Sequence, residues 1–259
     1  MEEIVTREEK GPVSVLTMQY RPYNLLGPTL LPAIADAIGA AQQAGSRAIV
    51  LRSGLRHFSA GADVAQFDAR IEQGGRRQSA IGGVEFLKLL ELLPIPIVAS
   101  VHGVALGGGF ELALACDYIV AVSSAKIGSV EVALGLHPLL GGIQRQVQRA
   151  GAMRAKEISM LGRRYDAATL ERWGLVNLVV ADDALEEVTI TIAEELAHGP
   201  TVAHAATKRL VHIAVNEGVL AADEAMAEIQ KPIWASEDLK IGLASFRENG
   251  PGLAKFTGR

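Results

Sequence analysis

At 259 residues, 49% of them hydrophobic and 21% charged, the chain has an ordinary globular balance and enough length to bury a core. Its formal net charge of −4 and pI near 5.9 offer no basic field to a nucleic-acid backbone, so nucleic acid is not an expected partner. A single cysteine excludes an internal disulfide, and no run reaches the ~20 apolar residues of a membrane span. The opening MEEIVTREEKG lacks the apolar stretch of a secretory signal, which leads to the expectation of a cytoplasmic protein with no membrane partner. In chain order, residues 13–19 read as a strand, and the turn-prone RPYN and GP follow. Residues 29–43 carry apolar positions at helical spacing, and 47–53 form a short β-branched run suited to a buried strand. The segment 57–67 reads as a loop leading into a helix.

The pattern then repeats. A helix is predicted over 79–93, Pro94 and Pro96 punctuate it, and 97–103 reads as a strand. After ALGGG come a helix over FELALAC and a strand over DYIVAVS. Strands alternating with helices predict an α/β class. From about Gly141 the pattern turns to successive helices, with one strand-like piece at 174–180. Beyond Pro200 only helices are predicted, at 201–216, 218–229 and 236–246. The expected organisation is a mixed core over 1–195 and a helical region over 196–259.

The sharpest local feature is VHGVALGGGFELALACD, in which Gly107, Gly108 and Gly109 stand between a strand and a helix. Three glycines cost backbone entropy, so unusual dihedrals or a close approach to the backbone must account for them. A helix N-terminus presents unpaired N–H groups and a positive dipole end, suited to a developing negative charge. The spacing is wrong for a dinucleotide fingerprint, because Leu112 stands where its third glycine would fall, and no Gly-Lys-Ser/Thr follows for a phosphate loop. SAGAD, at 59–63, is a second small-residue turn directly after a strand. Two such turns after neighbouring strands could aim two backbone N–H groups at one oxygen; a tight turn with close helix packing is the alternative.

HFSAGADV, ALGGGFELALACD and IGSVEVALGLHPLLGG, in this order and at these intervals, resemble the enoyl-CoA hydratase/isomerase (crotonase) superfamily. The likeness runs over nearly the whole chain, from IVLRS before the first motif through GLVNLVV to SEDLKIGLASF and the closing FTGR. The resemblance implies a spiral of ββα units with a helical C-terminal trimerisation region, assembled as a homotrimer or homohexamer. It also implies an acyl-CoA thioester substrate, with coenzyme A entering only as part of that substrate and no metal. The family's oxyanion-hole donors fall on Ala62 and Gly108, its CoA-binding stretch on Ala60, Ala62 and Asp63, and its catalytic carboxylates on Glu111 and Glu131. The two glutamates then grip a water: Glu111 takes its proton and Glu131 delivers one to the α-carbon. Outside the resemblance, both would read as solvated surface charges.

The chain departs from the family pattern at three places. Val130 replaces a proline before the second glutamate. Leu139 replaces a glycine whose N–H helps hold the water. Leu253 stands where a lysine for a CoA phosphate is expected, leaving Lys255 or Arg21 to serve. The leading expectation is a 2-enoyl-CoA hydratase. An enoyl-CoA isomerase and a non-catalytic CoA- or RNA-binding relative are the alternatives. His57, His102, His137, His198, His204 and His212 show no metal-ligand spacing. Cys116 reads as a buried small hydrophobe, and Asp117 as a helix-end or locally paired carboxylate.

Overall fold

The computed structural model describes residues 3–72 and 82–259. The chain opens with β1 (Val5–Lys10) and β2 (Val13–Met18), an antiparallel hairpin that turns at Gly11 with φ 56°. β1 was not expected. Its residues VTREEK are mostly charged, because an edge strand shows most of its surface to water and lacks the apolar run of a buried one. Then come α1 (Leu30–Gln43), β3 (Ala48–Ser53), the short α2 (Phe67–Glu72) and α3 (Gly83–Leu92). The start of the helix expected over 79–93 lies partly outside the described residues.

The strand expected over 97–103 ends earlier, as β4 (Ile97–Val101), and after a turn at Gly103, where φ is 62°, a further short strand follows, β5 (Val104–Leu106). α4 (Gly108–Leu114) follows, then β6 (Tyr118–Val122), β7 (Lys126–Gly128) and the 20-residue α5 (Gly142–Leu161). Beyond these lie β8 (Tyr165–Asp166), α6 (Ala167–Arg172), β9 (Leu178–Val180) and α7 (Leu185–His198). Four helices close the chain: α8 (Thr201–Asn216), α9 (Val219–Ile229), α10 (Lys231–Ala235) and α11 (Glu237–Asn249). Of the strand expected over 174–180, only the last three residues pair; 174–177 turn the chain into it.

Six strands form one sheet in the order β1-β2-β3-β4-β6-β9, parallel except for β1. The residues of β3 from Ala48 to Leu51 and all of β4 are buried, as parallel strands covered on both faces require. α7 packs on β3, β4 and β6, while α1 packs on β1 and β2. A second, small sheet runs β5-β7-β8. Isolated bridges continue it into the preceding loops, Ser59 pairing with Ala105 and Leu26 with Ala62. Two turns of this spiral send one strand to the large sheet and a short one to the small sheet before a helix, β4-β5-α4 and β6-β7-α5. No helix among the described residues is long and apolar enough to cross a membrane.

Candidate active site

The site lies where the two small-residue turns meet. Loop 20–27 is laid against loop 59–63 by backbone bonds: Ala60 N–H to Tyr23 O at 3.0 Å, Leu26 N–H to Gly61 O at 2.8 Å and Asp63 N–H to Leu26 O at 2.9 Å. Asn24 holds this arrangement together. It is fully buried at φ 51°, donates to Ser53 Oγ (2.8 Å) and Phe58 O (3.1 Å), and accepts the Tyr20 N–H (2.8 Å). Its own carbonyl takes the Ser59 hydroxyl at 2.7 Å. Asn tolerates the left-handed region better than most residues, and its amide pairs groups that would otherwise be buried orphans.

On the other side, α4 is buried along its whole length. Gly109 permits this approach, since a Cβ there would stand 2.7 Å from both Cβ and O of Ser59. Gly107 turns the chain at φ 51° and leaves room for Glu131, whose Oε1 would lie 3.3 Å from a Cβ on that residue. A Cβ built on Gly108 would stand 3.6 Å from the Ala62 nitrogen, so the two turns come within a few ångströms of each other. Neither the Ala62 nor the Gly108 N–H donates to a backbone carbonyl among the described residues. Both line one cavity of about 660 Å³, with Ala60, Asp63, Glu111 and Glu131 also in its wall.

Glu111 is the polar exception in an otherwise apolar helix, and it is only 1% exposed. A buried carboxylate needs donors. Its Oε1 accepts the N–H groups of Leu140 (2.9 Å) and Gly142 (2.7 Å). Burial pushes its pKa up to about 7; the Gly142 and Leu140 donors and the Arg145 charge oppose the rise, and the Glu131 charge adds to it. Glu131 sits in a single 3-10 turn, Glu131–Leu134, and both of its carboxylate oxygens are buried with no well-formed hydrogen bond to the described residues. Burial raises its pKa as well, against the pull of the nearby backbone N–H groups of Glu131 and Val130 and of His137.

A sequence profile described as enoyl-CoA hydratase/isomerase matches residues 8–258. The chain is 35% identical over 252 residues to a protein named crotonyl-CoA hydratase from Syntrophomonas wolfei, covering 95% of this chain and 94% of that one. It is 33% identical over 252 residues to a short-chain-enoyl-CoA hydratase from Clostridium acetobutylicum, covering 94% of each. A crystal structure of an enoyl-CoA hydratase subunit from Geobacillus kaustophilus superposes with a TM-score of 0.88 at 33% identity, over 99% of this chain and 98% of that one. The chain belongs to the enoyl-CoA hydratase/isomerase family. The α/β spiral with its helical C-terminal part is the crotonase fold.

The structure of this family member brings Ala60, Ala62, Asp63, Gly108, Glu111, Glu131 and Leu139 to one cavity. Two expected residues lie elsewhere. Lys255 belongs to a tail tied down by buried Asp238, which accepts the Thr257 N–H at 2.7 Å and the Gly258 N–H at 2.9 Å. Arg47 Nη1 donates to the Phe256 carbonyl at 3.1 Å. Arg47 precedes the first residue of β3, whereas loop 54–63 follows its last, and Lys255 is not in the wall of this chain's cavity. Arg21 is exposed and is not in the cavity wall, although its loop carries Tyr23 and Leu26 to loop 59–63.

Leu139 lines the cavity, but the N–H groups that hold Glu111 come from Leu140 and Gly142. Those donors and Asn24 were not anticipated. A buried asparagine in a turn and a glycine pair at a helix start were their only local signals. Asp117 pairs with Lys208 at 2.6 Å and accepts the Ile97 N–H at 2.8 Å, the local role expected of it. Burial pushes the Cys116 thiol up to about 12, so it is an unreactive core residue.

Proposed function

We propose that this protein adds water across the 2,3 double bond of an acyl-CoA thioester. The observation that carries the reading is two carboxylates, Glu111 and Glu131, in the wall of one cavity beside two N–H groups, those of Ala62 and Gly108, that meet no backbone acceptor among the described residues. The thioester carbonyl oxygen accepts from both N–H groups. Glu111 takes a proton from water as its oxygen bonds to the β-carbon. The π electrons move to the α-carbon and carbonyl, and the resulting enolate is stabilised where the two donors point. Glu131 then delivers a proton to the α-carbon, which completes the 3-hydroxyacyl product.

The environments suit these roles. Two N–H donors favour the ionised form of Glu111, whose pKa near 7 matches a general base working at neutral pH. Burial of the Glu131 oxygens favours its protonated form, against the pull of the nearby Glu131 and Val130 N–H groups. Every step is a proton transfer or a C–O bond formation, so the scheme calls for no cofactor beyond the CoA of the substrate. Ala60, Ala62 and Asp63 form the wall we assign to the CoA thioester, with Arg21 on the adjoining loop.

The reading extends to assembly as a homotrimer or homohexamer. Val219, Leu220, Trp234 and Phe246 are exposed on the C-terminal helices, apolar surface that a partner copy would cover. Light scattering at micromolar concentration should return a trimer or hexamer; a monomer would contradict this assembly.

Crotonyl-CoA and a 3-enoyl-CoA offered side by side test the chemistry. Rapid hydration of crotonyl-CoA is the expected result. Conversion of the 3-enoyl-CoA alone would make the protein an isomerase, and turnover of neither would make it a binding protein.

A further inference from the structure

Glu111 is held by a short loop, and the loop is itself held. Gly141 and Gly142 share one planar peptide unit, with the Gly141 carbonyl at one end and the Gly142 N–H at the other. The N–H end donates to Glu111 Oε1 at 2.7 Å. The carbonyl end accepts from Arg145 Nη1 at 3.0 Å. Arg145 lies one turn into α5 and is 7% exposed. Its Nη2 donates to Glu91 Oε2 on α3 at 2.7 Å, which supplies the counter-charge that a buried guanidinium needs.

Space around the peptide is filled. A Cβ on Gly141, at φ 104°, would stand 2.5 Å from Arg145 Nη1, and a Cβ on Gly142 would stand 2.6 Å from Glu111 Cγ. A positive charge on the carbonyl end of a peptide polarises it and strengthens donation from the N–H end. The charged groups acting on Glu111 are Glu131, from the turn after β7, and Arg145, from α5; Glu91 stands behind Arg145.

We propose that Arg145 is the positioning residue for Glu111, gripping the far end of the peptide that holds the carboxylate, with Glu91 as its anchor. The functional part of this proposal rests on the reading of Glu111 as the general base. A guanidinium here both aims the free oxygen of Glu111 into the cavity and favours its ionised form. A residue serving only to pack α5 against α3 would do neither.

The test uses the full chain, with two readouts: 13C NMR titration of the Glu111 carboxyl, and the pH profile of kcat/KM on crotonyl-CoA. Arg145→Gln should move the Glu111 titration and the acidic limb up by about one pH unit. It should lower kcat about 10- to 100-fold, with KM much less changed. Arg145→Lys, which keeps the charge, should restore the position of the limb and part of kcat. Glu91→Gln should move the limb the other way, down by about half a unit, because it leaves the guanidinium uncompensated. This variant also keeps the proposal testable if Arg145→Gln does not fold.

Opposite shifts support the proposal, since a packing role predicts equal losses with no movement of the limb. Unmoved titrations in both variants, or movement in the same direction, overturn it. Glu111→Gln separates this outcome from failure of the base reading. If that variant is inactive and the limbs stay still, only the Arg145 assignment falls. If it is fully active while the NMR titrations move in opposite directions, the base reading falls and the electrostatic clamp stands.

Discussion

Glu111 and Glu131 face the same cavity from two differently built walls. Glu111 projects from a helix buried along its whole length, and two backbone N–H groups occupy one of its oxygens. Glu131 comes from a one-turn 3-10 segment with no buried residues, yet both of its oxygens lie out of water with no well-formed hydrogen bond to the described residues. The first carboxylate is fixed in place, and the second is held more loosely, near the Glu131 and Val130 N–H groups. Identical side chains are thereby suited to opposite proton-transfer roles, because the state a carboxyl prefers depends on the donors around it.

The strongest way to break this comparison is to neutralise each carboxylate. Glu111→Gln and Glu131→Gln should each lower turnover of crotonyl-CoA by roughly 100-fold or more, as for loss of a general acid or base. The double variant should cost less than the product of the two, because in the proposed mechanism one water serves both groups. Steady-state kinetics read all three. If Glu111→Gln were harmless while Glu131→Gln abolished conversion of a 3-enoyl-CoA, the isomerase reading would replace hydration.

Gly108→Pro attacks what the two glutamates share. Gly108 is the first residue of α4, a position where proline is tolerated, so the substitution removes one N–H with little harm to the helix. Turnover should fall roughly 100- to 1000-fold, with a circular-dichroism spectrum close to the parent's. A variant retaining near-parental turnover would remove Gly108 from the proposed oxyanion hole.

Stability separates the two walls more gently. With its pKa raised from 4.5 to about 7, Glu111 binds its proton more tightly in the folded chain than in the unfolded one. The stability it contributes is therefore present below about pH 4.5 and is lost as pH rises through 7. Glu111→Gln removes that titration. At pH 7 and above the variant should be more stable than the parent, by up to about 3 kcal/mol, and the gap should close toward pH 4.5. Urea unfolding across this range measures it, and a gap independent of pH would contradict the raised pKa.

Leu139→Gly is expected to have the smallest effect, leaving turnover unchanged or modestly raised. The donors to Glu111 sit on either side of Gly141 and do not include Leu139. A large loss of turnover would show that the loop depends on the leucine for its shape.

Much of this was legible in the chain. Near-continuous apolar runs such as AIVL in β3 and IVASV in β4 announce strands covered on both faces. The glycine triplet between strand and helix announces a backbone that something must approach closely. The pieces that could not be read are those whose partners are far away in sequence. β7 and β8 have three residues and two, too short for any periodicity, and pair only because the spiral brings 126–128 beside 104–106 and 165–166. β1 hides behind its charges.

The sequence by itself determined the alternation of strands and helices, the two small-residue turns and the presence of two glutamates at suggestive intervals. Those are properties of local spacing, which a chain carries wherever it goes. Tertiary structure decided that Glu111 would be buried and that Leu140 and Gly142 would satisfy it. Burial and hydrogen-bond partners depend on which segments pack together. The same Glu that reads as a surface charge in a string of letters becomes, once α4 is enclosed, a group whose proton affinity lies near neutrality.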